Sequence, residues 1–160
     1  MKKIVVTGGA GFIGSNLVRA LLAQQPQAQI IALDNLFSGK RSNLEGLAGD
    51  VRFEHADIRD YDRIAPILAG ADTVFHLAAI PSVPRSIADP IPSHEVNING
   101  SFNVFEACRN GDVRRVVYAA SSSAYGDTLV LPKVESMAPN PKSPYAAQKL
   151  MGEYYASVFH

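Results

Sequence analysis

The chain has 160 residues, enough for one domain with a substantial core. It is 47% hydrophobic and 19% charged with a formal net charge of zero, which gives no electrostatic reason to expect nucleic acid or an acidic membrane surface as a partner. A single cysteine excludes an intrachain disulfide, and no stretch is long and apolar enough to span a bilayer.

Strand and helix signals then alternate along the whole chain. "KIVVT" (residues 3–7) is a β-branched run and predicts a buried strand. Residues 11–25 follow with Phe12, Leu17, Leu21 and Leu22 near a helical period, and Pro26 stops them. Strands are predicted at 29–34 and 51–57, a short helix at 61–70, and a fourth strand at 72–79. A longer helix is expected at 93–111 with Gly100 inside it, then a fifth strand at 114–122 and a last helix from Pro144. Residues 38–50 form the loosest stretch, and 125–144, with four prolines, read as a loop. Cys108 lies in an apolar helical segment and reads as a small buried hydrophobe. The opening "MKKIVVTGGAGFIG" is interrupted by Thr7, Gly8 and Gly9 and is followed by no small-residue cleavage site, so it is not a signal peptide and a cytoplasmic location is expected. Apolar strands joined by helical crossovers imply a parallel sheet covered on both faces, hence a doubly wound α/β fold.

"VTGGAGFIGSN" sits between the first strand and the first helix. Gly8, Gly11 and Gly14 are spaced for a dinucleotide loop, and Gly9 also fits a G-x-G-x-x-G pattern with the last two. Such a loop turns tightly, lets backbone approach a pyrophosphate, and aims free N–H groups at it from the start of a helix. Asp34 ends the second strand twenty residues after Gly14, where a carboxylate binds an adenosine ribose and favours NAD over NADP. Lys40 and Arg41 are close enough in sequence to meet a 2′-phosphate but read better as solvated loop charge.

With Pro144 at the start of the last helix, Tyr145 and Lys149 are one turn apart on one face. A phenol is a poor base at neutral pH, and a neighbouring ammonium favours its ionised form. Such a pair can take a proton from a hydroxyl while hydride leaves to a nicotinamide. "SSS" (Ser121, Ser122 and Ser123) ends the fifth strand, where ligands of open α/β sheets bind, and a serine there can hydrogen-bond the reacting oxygen. His76 and His94 read as structural, and no metal is expected.

Together these residues resemble the extended short-chain dehydrogenase/reductase family and, within it, the nucleotide-sugar 4-epimerases. "TGGAGFIG" is similar to the family's cofactor loop, which adds Phe12 and Ile13 to the glycines, and "DNL" to its ribose-binding turn, Asp34 and Asn35. The resemblance further implies cofactor contacts from Ser38, Gly39, Asp57, Ile58, Leu77, Ala78, Ala79, Asn97, Tyr145 and Lys149, with Asn97 helping to position the lysine. It implies a catalytic set of Ser121, Tyr145 and Lys149, and substrate contacts from Ser82, Ser121, Ser122, Ser123 and Tyr145. The implied chemistry is removal of the 4-hydroxyl proton by Tyr145, hydride transfer from sugar C4 to NAD, rotation of the 4-keto sugar, and return of the hydride to its other face. Ser122 and Ser123 remain alternatives for the serine role.

Sugar 4,6-dehydratases carry an Asp-Glu pair after the fifth strand, where this chain has Ser122, Ser123 and Ala124. "SVPRSIADP" and "LPKVE" are similar to epimerases accepting UDP-N-acetylhexosamines as well as UDP-hexoses, and Pro81 replaces a cofactor-contacting lysine of some UDP-galactose epimerases. Another nucleotide-sugar reductase or decarboxylase, and a non-catalytic dinucleotide-binding module, stand as alternatives. Family members are longer than this chain, so 1–160 is expected to be the NAD-binding domain without the C-terminal substrate part. Alone it is expected to turn over no sugar. Homodimerisation of the full-length protein through the Asn97 helix and the last helix is also implied.

Overall fold

The computed structural model describes residues 2–47, 49 and 51–159. Five parallel strands form its one sheet: β1 (Lys3–Thr7), β2 (Gln29–Asp34), β3 (Val51–His55), β4 (Thr73–His76) and β5 (Val116–Tyr118). Their order is β3-β2-β1-β4-β5, the doubly wound arrangement expected. Register is fixed along the centre by pairs such as Val5 with Ile31 on one side and Val5 with Val74 on the other.

Alternation along the strands builds two cores. Val5, Ile31, Leu33 and Val74 face α2 (Tyr61–Leu68) and α5 (Ser101–Asn110), which contribute Ile64, Leu68, Val104 and Cys108. Ile4, Val6, Ile30 and Ala32 face α1 (Phe12–Gln24), which contributes Val18, Leu21 and Leu22. Each fully buried Val, Leu or Ile stabilises the fold by roughly 1.5–3 kcal/mol, so these layers fix the sheet before any ligand binds. Burial also pushes the Cys108 thiol up to about 12, which keeps it a neutral hydrophobe.

The structure departs from the sequence reading at several ends. β3, β4 and β5 stop at His55, His76 and Tyr118, short of the predicted ends, because the following residues leave the ladder to line a cleft. Phe12, counted with Leu17, Leu21 and Leu22 in the helical period, is 84% exposed, and the buried residues of α1 begin at Gly14 and Ser15. The predicted helix at 93–111 is composite: α4 (Pro90–His94), a π turn (Glu95–Gly100) and α5. An unforeseen helix, α3 (Val83–Ala88), starts where Ser82 accepts the Arg85 N–H and Pro84 fills a first-turn position. Short 3-10 turns cover Arg41–Leu44 and Ser122–Tyr125, and 126–143 form neither helix nor strand. The last helix, α6 (Pro144–Val158), begins at Pro144 as expected, with the Ser143 hydroxyl accepting the Ala146 N–H at 3.1 Å. Among the described residues, no helix is long and apolar enough to cross a membrane. His160, where the chain ends, lies outside them.

Candidate cofactor and catalytic site

Strand order reverses between β1 and β4, and a cleft of about 480 Å³ opens at the carboxyl ends of the strands there. Each strand hands a segment to it: Gly8 after β1, Asp34 and Asn35 at the end of β2, Ile58 after β3, Leu77, Ala78 and Ala79 after β4, and Ala119 after β5. Gly11, Phe12, Ile13 and Gly14 form the wall at the start of α1, and Ser38 closes the rim.

The glycine loop is shaped by contacts that no side chain could share. Gly8 has φ +70°, in the left-handed region, and a Cβ there would press on the Ala78 backbone nitrogen at 2.9 Å. A Cβ on Gly14 would overlap the Gly8 carbonyl oxygen, so α1 can begin beside the turn only because Gly14 has no side chain. At Gly11 a Cβ would meet only the Gly8 oxygen, at 3.2 Å, which leaves this backbone open toward the cleft. A dinucleotide fits such a cradle: bare backbone at the positive end of a helix, and no acidic side chain in its first turn.

Asp34 is 7% exposed and already holds the site together. Its Oδ2 accepts the Ala10 N–H at 3.0 Å and its Oδ1 the Leu36 N–H at 2.8 Å, which ties the end of β2 to the glycine loop. Gly39 packs behind this wall, against Ala10 and the Asp34 carboxylate, and does not line the cleft. Asp57 does not line it either. Its carboxylate accepts from the Arg59 guanidinium, the Arg59 backbone N–H and the Asn35 amide. The Arg59 hydrogen bond is the largest cause holding its pKa down to about 2. Arg59 and Phe37 line the cleft and were missed by the sequence reading. Their one available signal was adjacency to Asp57 and to the Asp34–Leu36 turn. Arg41 is drawn over the Phe53 ring at 5.3 Å, a place its sequence neighbours did not suggest.

Asn97 is tied into the protein itself. It is 1% exposed, its Oδ1 accepts the Ile80 N–H, and its Nδ2 donates to the Ile80 carbonyl and to Gln148 Oε1. Both N–H groups of the side-chain amide and one lone pair of its oxygen are engaged within the protein, and Asn97 is not among the residues lining the cleft. It anchors Gln148, the chain neighbour of Lys149 on α6.

Tyr145, Lys149 and Ser121–Ser123 are not among the residues that line the cleft. The half-buried Tyr145 is held by its backbone N–H donating to Ser86 Oγ at 3.1 Å. Lys149 is 4% exposed and its Nζ lies 4.1 Å from the centroid of the Tyr118 ring, one residue before Ala119. Burial lowers its pKa to about 8, with Glu153 opposing the shift. The serine triplet divides: Ser121 and Ser123 share a 2.8 Å hydrogen bond between hydroxyls, while Ser122 is exposed. Ser82 is half-buried at φ 140°, a strained backbone for a residue other than glycine, beside the cleft residue Pro81.

His76 joins the two halves. It is 1% exposed, with Nδ1 2.8 Å from Thr7 Oγ1 and Nε2 3.0 Å from Ser101 Oγ. Burial, then the Lys149 ammonium, lowers its pKa to about 3, so it is a neutral strut.

A doubly wound sheet with a glycine cradle and an acidic residue closing β2 defines a dinucleotide-binding α/β domain. The NAD dependent epimerase/dehydratase family matches residues 4–160, and the chain belongs to it. A UDP-glucose 4-epimerase of Mycolicibacterium smegmatis is 43% identical over 98% of this chain and 51% of its own length. A UDP-N-acetylglucosamine 4-epimerase from Methanobrevibacter ruminantium M1, solved with UDP-N-acetylmuramic acid, superposes with a TM-score of 0.91 at 42% identity, over 99% of this chain and 50% of that one. A dTDP-glucose 4,6-dehydratase from Streptomyces venezuelae, solved with NAD, reaches 0.92 at 38% identity, over 99% and 51%. The chain thus spans about half the length of the relatives it matches.

Proposed function

We propose that residues 1–160 form the NAD-binding domain of a nucleotide-sugar 4-epimerase that acts on UDP-glucose or UDP-N-acetylglucosamine. The observation that carries this reading is that Lys149, on the Tyr145 helix, lies over the last residue of β5, at the same end of the sheet as the glycine cradle. Gly8, Gly11, Phe12, Ile13 and Gly14 would hold the pyrophosphate, Asp34 and Asn35 the adenosine ribose, and Ile58 the adenine face. Bound NAD would supply a hydride acceptor and donor. Tyr145 takes the proton of the sugar 4-hydroxyl, and Ser121 hydrogen-bonds the same oxygen, with Ser123 as its partner. Burial lowers the Lys149 pKa to about 8, so it keeps most of its charge at neutral pH at the carboxyl end of β5.

A dehydratase is the second reading, because one similar structure is a dTDP-glucose 4,6-dehydratase. The turn after β5 offers Ser122, Ser123, Ala124 and Tyr125, and no carboxylate for an elimination. In relatives of twice this length the sugar-nucleotide surface would lie largely in the other half, and this chain alone turns over no sugar. Incubation of the full-length protein with UDP-sugars tests the reading. A C4 epimer with no net NADH is expected, together with loss of turnover in Tyr145→Phe. A 4-keto-6-deoxy product would select the dehydratase, and an undiminished Tyr145→Phe would select a non-catalytic module.

A further inference from the structure

We infer that Tyr118 is a positioning residue for Lys149: its ring seats the ammonium, and its hydroxyl fixes the turn of α6 that carries it. This rests on the reading of Lys149 as part of the reacting site. Two independent features of the structure meet here. The Lys149 Nζ stands 4.1 Å from the ring centroid, cation against π face, in a setting where the lysine is almost wholly out of water. The phenol hydroxyl donates to the Lys149 backbone carbonyl at 3.2 Å, so one side chain of β5 grips both ends of the residue. The grip needs a gap in α6. A Cβ on Gly152 would overlap Cζ and the hydroxyl oxygen of Tyr118, so the phenol fills a notch left by the missing side chain, three residues beyond the lysine.

The platform is itself braced. The Tyr118 ring is 5.6 Å from His76 and 5.7 Å from Phe105, both from elements on its inner side. The groups whose charge bears on this pocket are His76 from β4, Tyr145 and Glu153 from α6, and Tyr118 from β5. His76 is held neutral, and burial raises the phenol's pKa beyond its usual range, so neither adds charge at neutral pH. The aromatic face and the Glu153 carboxylate together offset the desolvation of the ammonium, and the face places the charge at the carboxyl end of β5.

The test uses the full-length protein with the lysine ε-carbons labelled with 13C. Position 118 carries tyrosine, then Tyr118→Phe, then phenylalanine analogues with one to three ring fluorines, which weaken the π face at nearly constant shape. The Lys149 midpoint, read by NMR, is expected to fall stepwise with each fluorine, because the charged form loses its seat. Turnover of UDP-sugar should fall in parallel, by roughly tenfold across the series, with KM unchanged. A midpoint indifferent to fluorination would overturn the inference, whatever the turnover. Absence of UDP-sugar turnover in the parent protein would instead count against the proposed function, and the NMR series would still decide the role of Tyr118. Should Tyr118→Phe fold poorly, Gly152→Ala displaces the phenol by the opposite route. Loss of the ring-induced upfield shift of the Lys149 ε-protons in that variant is expected, and its full retention would refute the grip.

Discussion

Acidification should loosen this fold through one buried imidazole. Thr7 Oγ1 accepts the Leu77 and Ala78 backbone N–H groups, each at 3.2 Å, which uses both its lone pairs. Its own proton must then go to His76 Nδ1, and Nε2–H donates to Ser101. Protonation of Nδ1 would set two donors face to face and disturb the hydroxyl that orders residues 77 and 78 at the cleft. The folded protein holds this pKa at about 3, against 6.5 for a free imidazole, mainly by burial and secondarily by the Lys149 charge. With a depressed folded pKa, the unfolded chain binds the extra proton first. The stability is therefore intact above pH 6.5 and is lost progressively as pH falls toward 3. The slope is about 1.4 kcal/mol per pH unit, so falling from 6.5 to about 4.5 should remove roughly 2–3 kcal/mol. Urea unfolding of wild type and His76→Gln from pH 4 to 8 checks this. The variant loses roughly 1–3 kcal/mol of packing and hydrogen bonding at pH 8 but has a flatter acid limb, because the remaining titrating groups are common to both proteins. Parallel profiles would refute the argument. Lys149→Met should raise the folded-state pKa of His76 and so reduce the stability lost on acidification, since it removes the smaller cause of the shift.

Two further outcomes follow from the cofactor wall. Gly14→Ala must push its methyl into the Gly8 carbonyl, and calorimetric titration of NAD should show affinity lowered by at least roughly tenfold. Unchanged affinity would mean that the cradle does not hold the pyrophosphate. Asp34→Asn cannot accept both the Ala10 and Leu36 N–H groups and no longer repels a 2′-phosphate, so the ratio of NAD to NADP affinity should fall, and a constant ratio would remove Asp34 from ribose recognition.

The cofactor side of the site was legible because its signals are local. A turn with positive φ at Gly8, a helix start crowded against it at Gly14 and a carboxylate at the end of the next strand all lie within a single βαβ unit, where spacing maps directly onto geometry. The sheet order was legible for a related reason, since apolar strands and crossover length leave few alternatives. What could not be read was what each side chain spends its hydrogen bonds on. Asp57 and Asn97 carry polar side chains of the right chemistry for a ligand, and within the protein Arg59 and Asn35 bond the first, and Ile80 and Gln148 the second. The π turn that seats Asn97 leaves little mark on a 3.6-residue pattern, so 93–111 looked like one helix. Ser82 at φ 140° is equally silent, because its strain is imposed by the fold around it.

The catalytic side differs in kind. Nothing within α6 determines where Tyr145 and Lys149 stand. The Tyr145 N–H is received by Ser86, Gln148 is held by Ser93 and Asn97, and Lys149 is gripped by Tyr118, with sequence separations of 59, 55, 51 and 31. Three of these partners come from the irregular helical run between β4 and α5, which an amphipathic reading treats as packing. The run's breaks, at α3, at Pro90 and at the π turn, set these two hydroxyls and one amide at the heights α6 needs. A straight helix through 83–110 would separate Ser86 and Asn97 by about 16 Å of rise, against about 4–5 Å between Tyr145 and Gln148 on α6, and could not meet both. Under the proposed function the irregularity is therefore part of the site: it would convert a cofactor cradle specified locally into a reacting centre specified by the whole fold.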